Sequence, residues 1–376
     1  MKCEVSMIVN ELGMDAQELG KNFLPNEEVI SCEKYGNGHI NVTFLTKFAS
    51  GKVCILQKIN NNIFKNVDML MNNIKIVTEY LTSKGIESIQ MINSVTGKNY
   101  FEYEGNYYRM YEFIKDSVTV EKAESLEMVE TAARSFGKFH KDLAGLDGSK
   151  LGETIPDFHN TRKRYQDFLA SVERNASGRR DECLKEIEEV KKYAEVYTKI
   201  VDSIKTGEVK LHVTHNDPKI NNALFDANTH KFRAVIDLDT IMPGSVLYDV
   251  GDALRSLLTG DKEDSLDYKS VNVNFDIYKH YVGAYYSEAK SFLTPRELEL
   301  LPYAPFILTM ECGMRFLADF IDGDKYFHVT REKHNLDRAR TQINLAKSIF
   351  DNIQKLGDIT IDIIKTLWLL KMQKLF

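Results

Sequence analysis

Between residues 212 and 239 the chain reads HVTHNDPKINNALFDANTHKFRAVIDLD, setting three imidazoles, four amides and four carboxylates beside short apolar runs. Polar groups next to strand-forming residues are costly to bury unless they are partnered, so this spacing asks for a chemical reason. A carboxylate such as Asp217 can accept the proton of an attacking hydroxyl, worth about 10²–10⁴-fold in rate. The amide of Asn222 and the carboxylate of Asp237 are hard oxygen donors. Such donors suit Mg²⁺, which keeps several waters and takes one or two carboxylates together with substrate phosphates. One base and two oxygen donors are the parts a phosphoryl transfer needs, because that reaction is governed by positioning and charge neutralisation. His215 is read as a brace for the loop through hydrogen bonds. A mere polar turn capped by Asp and Asn would need no second aspartate at the end of the next apolar strand.

Several elements must position these groups. Residues 209–215, VKLHVTH, alternate as an extended segment running into Asn216-Asp217-Pro218. NALFD, the polar turn ANTHK and FRAVIDLD then read as a hairpin, which returns Asp237 toward Asn222. Upstream, HINVTFLTKF and KVCILQKIN alternate around Ala49-Ser50-Gly51 as two antiparallel strands. Val67, Leu70, Met71, Ile74, Val77 and Leu81 fall at helical spacing, and Gly85 ends that helix. SIQMINSV and YYRMYEFI are two further strands.

After Ile114 the pattern becomes helical. SLEMVETAARSFGKFHKDLAGL carries Met128, Ala132, Phe136, Phe139 and Leu143 on one face, with His140 packed beside them. Long helices are expected over 160–205, 272–290, 296–320 and 334–356. The fold class is α+β: a small antiparallel-sheet lobe over 1–113 and a larger, mainly helical lobe over 114–376. The connection Glu112–Asp116 has neither Pro nor Gly and suits a hinge. In the first lobe, Tyr35-Gly36-Asn37-Gly38-His39 is a glycine turn between strands, and Gly36 and Gly38 let backbone N–H groups approach phosphate.

Bulk properties exclude other classes. Net charge over the 376 residues is −6 with pI near 5.9, which argues against a nucleic-acid partner. The basic run Lys163-Arg164 to Arg179-Arg180 alternates with acids and reads as a solvated helix face. Five scattered cysteines form no CxxC pair, so neither zinc nor a disulfide framework is suggested. The opening Met-Lys-Cys-Glu-Val has no signal pattern and no apolar run reaches the roughly 18 residues of a membrane span. The tail TIDIIKTLWLLKMQKLF, broken by Lys365 and Lys371, reads as a docking helix. Together these point to a reduced, cytoplasmic protein without a membrane partner.

The spacing H-x-D-x-x-x-x-N of His215, Asp217 and Asn222 is that of protein-kinase catalytic loops. With AVIDLDTIMPGSVLYDVGDALR downstream, it resembles the aminoglycoside phosphotransferase and choline kinase superfamily, and within it the bacterial N-acetylhexosamine 1-kinases. YGNGHINVTFLT, CILQKINNNIFKNVDMLMNNI, IPDFHNTRKRY and ECGMRFLADFIDGDKYF look like blocks of that branch, to about residue 356. The resemblance implies a two-lobed, protein-kinase-like fold and ATP and Mg²⁺ as cofactors. The partner is a small-molecule sugar, GlcNAc or GalNAc, phosphorylated on its anomeric hydroxyl.

By the same resemblance Asp217 is the catalytic base, Asn222 and Asp237 hold metal, and Asp239 is a second-shell or second-metal residue. Thr240, Arg315 and Tyr326 contact the sugar together with Asp217. For Arg315 the plainer reading is an ion pair with Glu311 at i−4, and for Tyr326 simple packing. Lys58 takes the strand position of a phosphate-contacting lysine, with Glu79 as a candidate acidic partner. Glu112 to Ile114 present backbone groups to adenine beside Tyr111 or Phe113. The absence of D-F-G, A-P-E and an activation loop disfavours a protein substrate. Alternatives are a kinase of another small alcohol (an amino alcohol, methylthioribose or an aminoglycoside) and a catalytically inactive nucleotide-binding regulator. Epimer preference and oligomeric state stay open.

Overall fold

The computed structural model describes residues 11–36, 38, 40–259 and 263–373. The first ten residues, Asn37 and His39 of the glycine turn, and the last three residues of the tail lie outside them. The chain forms two compact units that interleave in sequence. One holds the residues up to Val118 with Ser149–Pro156 and Leu224–Met242. The other holds Thr119–Gly148, Asp157–Ala223 and Pro243–Phe376.

The first unit is built on an antiparallel sheet. Its strands are β1 (Val29–Lys34), β2 (Val42–Phe48), β3 (Val53–Ile59), β4 (Met91–Ile92), β5 (Phe101–Tyr103) and β6 (Asn106–Glu112). Their order is β1-β2-β3-β6-β4, with β5 on β6. The β2–β3 register pairs Phe44 with Leu56 and Thr43 with Gln57, and β3–β6 pairs Gln57 with Arg109 and Lys58 with Tyr108. Because side chains alternate across a strand, this register sorts the residues onto two faces. Phe44, Phe48, Cys54, Leu56, Tyr108 and Met110 pack under Leu12, Leu19 and Phe23. The opposite face carries Thr43, Gln57 and Arg109, and Arg109 reaches Met71 of the helix Val67–Ser83.

That helix starts where expected, with the Asn66 side chain accepting the Met69 N–H at 2.9 Å, and it ends at Lys84 and Gly85, whose φ is +71°. Burying Leu70, Met71, Ile74 and Val77 completely contributes about 1.5–3 kcal/mol each. The NALFD and FRAVIDLD runs form the expected hairpin, as Ala223–Asp226 pairs with Phe232–Val235 and, on its other edge, with Ser117–Val118.

The second unit is helical around one large core that includes Phe168, Tyr197, Tyr281, Phe306 and Leu317. The long helix expected over 160–205 is three: Thr161–Arg174, Leu184–Lys191 and Lys199–Lys205. Asn175 turns left-handed (φ +44°) and Gly178 follows at φ +75°, which ends the first. The 296–320 helix divides at Pro302 and Pro305 into Pro295–Leu300 and Ala304–Asp322, since proline cannot donate to a helix interior. The tail continues as Ile353–Gln373, docked through buried Leu356 and Ile363 and a 2.9 Å bond between Thr360 and Tyr278. Among the described residues no helix is long and apolar enough to cross a membrane.

Candidate active site

The Asp217 turn follows the strand His212–Thr214 and runs into a single 3₁₀ turn, Ile220–Asn222. It begins with Asn216 at φ +64°, a left-handed backbone that Asn tolerates better than most residues. A buried carboxylate fixes it. Asp249 accepts the His215 N–H at 2.8 Å and the Asn216 N–H at 2.7 Å, while His140 Nε2 lies 2.7 Å from the same carboxylate. On the other side His159 Nε2 lies 3.0 Å from the Asn216 carbonyl, and its Nδ1 lies 3.1 Å from Glu311. Burial works against the charged imidazole of His159, but Glu311 and that carbonyl outweigh it, so its pKa stands above the ordinary value. The ring of His215 is fully buried and accepts the Asp217 N–H at 3.2 Å, the bracing role expected of it. Only a residue without Cβ can stand at 244, because a Cβ there would lie 2.3 Å from Thr214 Oγ1 and 2.8 Å from Asn216 Oδ1.

So held, the turn presents a half-exposed carboxylate. Asp217 pairs with Lys219 Nζ at 2.9 Å. Burial lowers the Lys219 pKa, but Asp217 and Asp252 outweigh it and the net direction is up. Asn222 donates its Nδ2 to the Asp217 carbonyl at 2.9 Å, which fixes the amide and leaves Oδ1 as its acceptor atom. Hard oxygen is what Mg²⁺ takes, and among the described residues no group of three or more His, Cys, Asp or Glu side chains stands together as a metal site.

In the first unit, Asp237 ends the apolar strand with a left-handed backbone (φ +56°, ψ +54°) and opens the 3₁₀ turn Leu238–Thr240. Strain of this kind in a non-glycine residue costs of order 1–3 kcal/mol and persists only where the surroundings impose it. Here they do. Asp239 Oδ1 lies 2.5 Å from Arg109 Nη1 in a buried ionic contact, and its Oδ2 accepts Asn41 Nδ2 at 2.6 Å. Asn73 of the helix binds the Ile241 carbonyl at 2.9 Å and both backbone groups of Gly152. Asp239 is thus the counter-ion of Arg109. Thr240 is buried in the same turn.

The strand register places Lys58 on the other face of the sheet from Gln57 and Arg109. Lys58 shares a face with Leu56 and Tyr108, and its Nζ donates to the Glu11 carbonyl at 3.3 Å. Gln57 and Arg109 occupy the face that meets the helix and the Asp239 turn. A one-residue step in a strand moves a side chain to the other side of the sheet. Nor is Glu79 its partner, being exposed and 3.9 Å from Lys75. The glycine turn stands between β1 and β2, with Gly36 at φ +74° and open space where a Cβ would point at Gly36 and Gly38. The Tyr35 ring sits edge-on to Phe113 at 6.2 Å. In the hinge segment the Glu112 N–H donates to the Gln90 carbonyl and the Ile114 carbonyl accepts the Ser117 hydroxyl.

In the second unit Arg315 makes no ion pair with Glu311, whose carboxylate faces His159. Its guanidinium lies 5.4–5.8 Å from the ring centres of Phe158, Tyr326 and Phe327, a three-sided aromatic cage. Arg164 donates nearby to the Phe158 carbonyl at 3.0 and 2.8 Å. Burial and the neighbouring Arg315 lower its pKa, against the pull of Glu311. Tyr326 is 61% exposed, so packing does not account for it. Asp249, His159 and Arg109 escape a reading by spacing. A signal existed for Asp249, in the acid of YDVGDALR at the start of a helix, but none points from Arg109 to a turn 130 residues later.

A family model described as "Phosphotransferase enzyme family" (APH) matches residues 38–275. Among solved structures, a microcompartment-associated aminopropanol kinase is similar at 15% identity and TM-score 0.62, covering 91% of this chain and 98% of that one. An aminoglycoside phosphotransferase from Alicyclobacillus acidocaldarius aligns at 10% identity and TM-score 0.59, over 88% and 92%. A choline kinase from Streptococcus pneumoniae aligns at 13% and 0.54, over 89% and 97%. At these identities the likeness is one of fold, the α+β, protein-kinase-like architecture.

Proposed function

The chain belongs to the phosphotransferase enzyme family, and from that premise we propose that it is an ATP-dependent sugar 1-kinase acting on the anomeric hydroxyl of N-acetylhexosamines, GlcNAc or GalNAc. The observation that carries the reading is the Asp217 turn, in which a half-exposed carboxylate is fixed from below by the buried Asp249. Asp217 orients the sugar hydroxyl and takes its proton, with the Lys219 ammonium 2.9 Å from its carboxylate. Asn222, through Oδ1, and Asp237 would hold Mg²⁺, which when bound neutralises charge on the transferred phosphoryl group. The glycine turn at Gly36 and Gly38 offers N–H groups to the phosphates, while the Glu112 carbonyl and the Ile114 N–H serve adenine.

Arg315, Tyr326 and Thr240 bind the sugar. Two guanidinium groups, Arg164 and Arg315, beside a carboxylate already engaged by His159 disfavour a cationic substrate such as choline or an aminoglycoside. They suit a neutral polyol with an acetamide carbonyl. The test is ADP release on a panel of GlcNAc, GalNAc, choline, an amino alcohol and kanamycin. Activity on the last three with none on the sugars overturns the assignment. Asp217→Asn is expected to lower kcat by about 10²–10⁴-fold with ATP binding retained, and equal activity would remove the base.

A further inference from the structure

We propose that Arg109, not Lys58, is the fixed cation that faces the nucleotide's phosphates, with Asp239 as its counter-ion; the inference rests on the kinase reading above. A phosphate-binding cation must stand on the sheet face that meets the metal-bearing turn, and the β3–β6 register excludes Lys58 from it. The β3 residue on the correct face is Gln57, which is uncharged. Its cross-strand neighbour is Arg109, whose Nε donates to Gln57 Oε1 at 2.9 Å. The positive charge has thus moved one strand over while keeping its face.

The surroundings of Arg109 fit that task. The residue is 1% exposed, and a buried guanidinium needs compensation on every side. Nε goes to Gln57, and Nη1 goes to Asp239 with the Met71 sulfur at 3.9 Å. The Nη2 arm of the fork is not among the groups these contacts occupy. The second oxygen of Asp239 is tied to Asn41, whose Oδ1 accepts the Asn60 N–H at 2.9 Å. Asn41 follows the glycine turn, so the cluster adjoins the segment assigned to the phosphates. Burial lowers the Arg109 pKa, but Asp239 beside it outweighs that and holds it above the usual range. A planar guanidinium is a strong phosphate partner and cannot be neutralised at physiological pH.

Calorimetry of the full chain with ATP, ADP and adenosine, each in excess Mg²⁺, separates a phosphate contact from general damage. Because Arg109→Gln alone leaves Asp239 buried without its counter-ion, the variant to use is Arg109→Gln/Asp239→Asn. It should lose about tenfold or more in affinity for ATP and ADP and keep adenosine within about twofold. Arg109→Lys, which keeps the charge and not the fork, should fall between. Lys58→Met, whose side chain is on the other face, should leave all three affinities within about twofold. The proposal is overturned if the double variant keeps the wild-type ratio of ATP to adenosine affinity, or if Lys58→Met loses ATP. Wild-type protein that binds none of the three would instead sink the kinase reading itself.

Discussion

The Asp217 turn and the Asp237 turn both contain a left-handed non-glycine residue, Asn216 in one and Asp237 in the other, yet the two are restrained by different chemistry. In the helical unit a carboxylate, Asp249, accepts two consecutive backbone N–H groups, so the restraint acts on the main chain itself. In the sheet unit the restraint acts through side chains, with Arg109 and Asn41 gripping Asp239 two residues beyond the strained position. Backbone capping fixes a conformation and carries no separable charge partner. A side-chain ion pair can be exchanged as a unit, because replacing a buried pair with apolar groups is often neutral while removing one partner is costly.

That difference can be broken by mutation. Arg109→Met should cost about 3–5 kcal/mol in urea unfolding, because it strands the Asp239 charge. Arg109→Met/Asp239→Leu should regain most of that loss, and a double variant no more stable than the single one would show that the pair is not separable. Asp249→Ala should cost a comparable 3–5 kcal/mol, because two backbone donors and His140 each lose an acceptor at about 1–3 kcal/mol per unsatisfied group. No second side-chain change should restore it, since its principal partners are main chain; recovery by His140→Phe would break the contrast.

A smaller effect follows from His159. Its pKa is raised in the folded protein, so its stabilisation is complete below the free imidazole value of about 6.5 and is lost as pH rises through the folded-state value. Each unit of difference is worth about 1.4 kcal/mol. His159→Gln should remove this loss on the alkaline side, and an unchanged slope of stability against pH above about 6.5 would count against the His159–Glu311 pair. The smallest effect is expected at Tyr326. Tyr326→Ala should shift stability by no more than about 0.5 kcal/mol, as exposed positions do, while raising the sugar KM and leaving that of ATP in place. An unchanged sugar KM would withdraw Tyr326 from the substrate.

Much of this architecture was legible because its signals are local. The helix Val67–Ser83 has an Asn cap, apolar residues on one face and a terminal glycine, all within one stretch of chain. The β2–β3 hairpin and the hairpin that delivers Asp237 declare themselves by alternation around short polar turns. Where local signals competed, reading by periodicity failed. Asn175 and Gly178 break a helix whose apolar spacing continues past them, and Lys58 looks correctly placed until the strand register decides its face.

From sequence alone came the family-bearing spacing of His215, Asp217 and Asn222, the antiparallel sheet and the helical remainder, because covalent spacing and side-chain periodicity fix which groups share a turn or a face. The tertiary structure decided which charges meet. Arg109 and Asp239 are 130 positions apart, and Asp249 lies more than 30 residues beyond the turn it caps. Ion pairs and buried hydrogen bonds depend on distance in space, and no period in the chain encodes that distance.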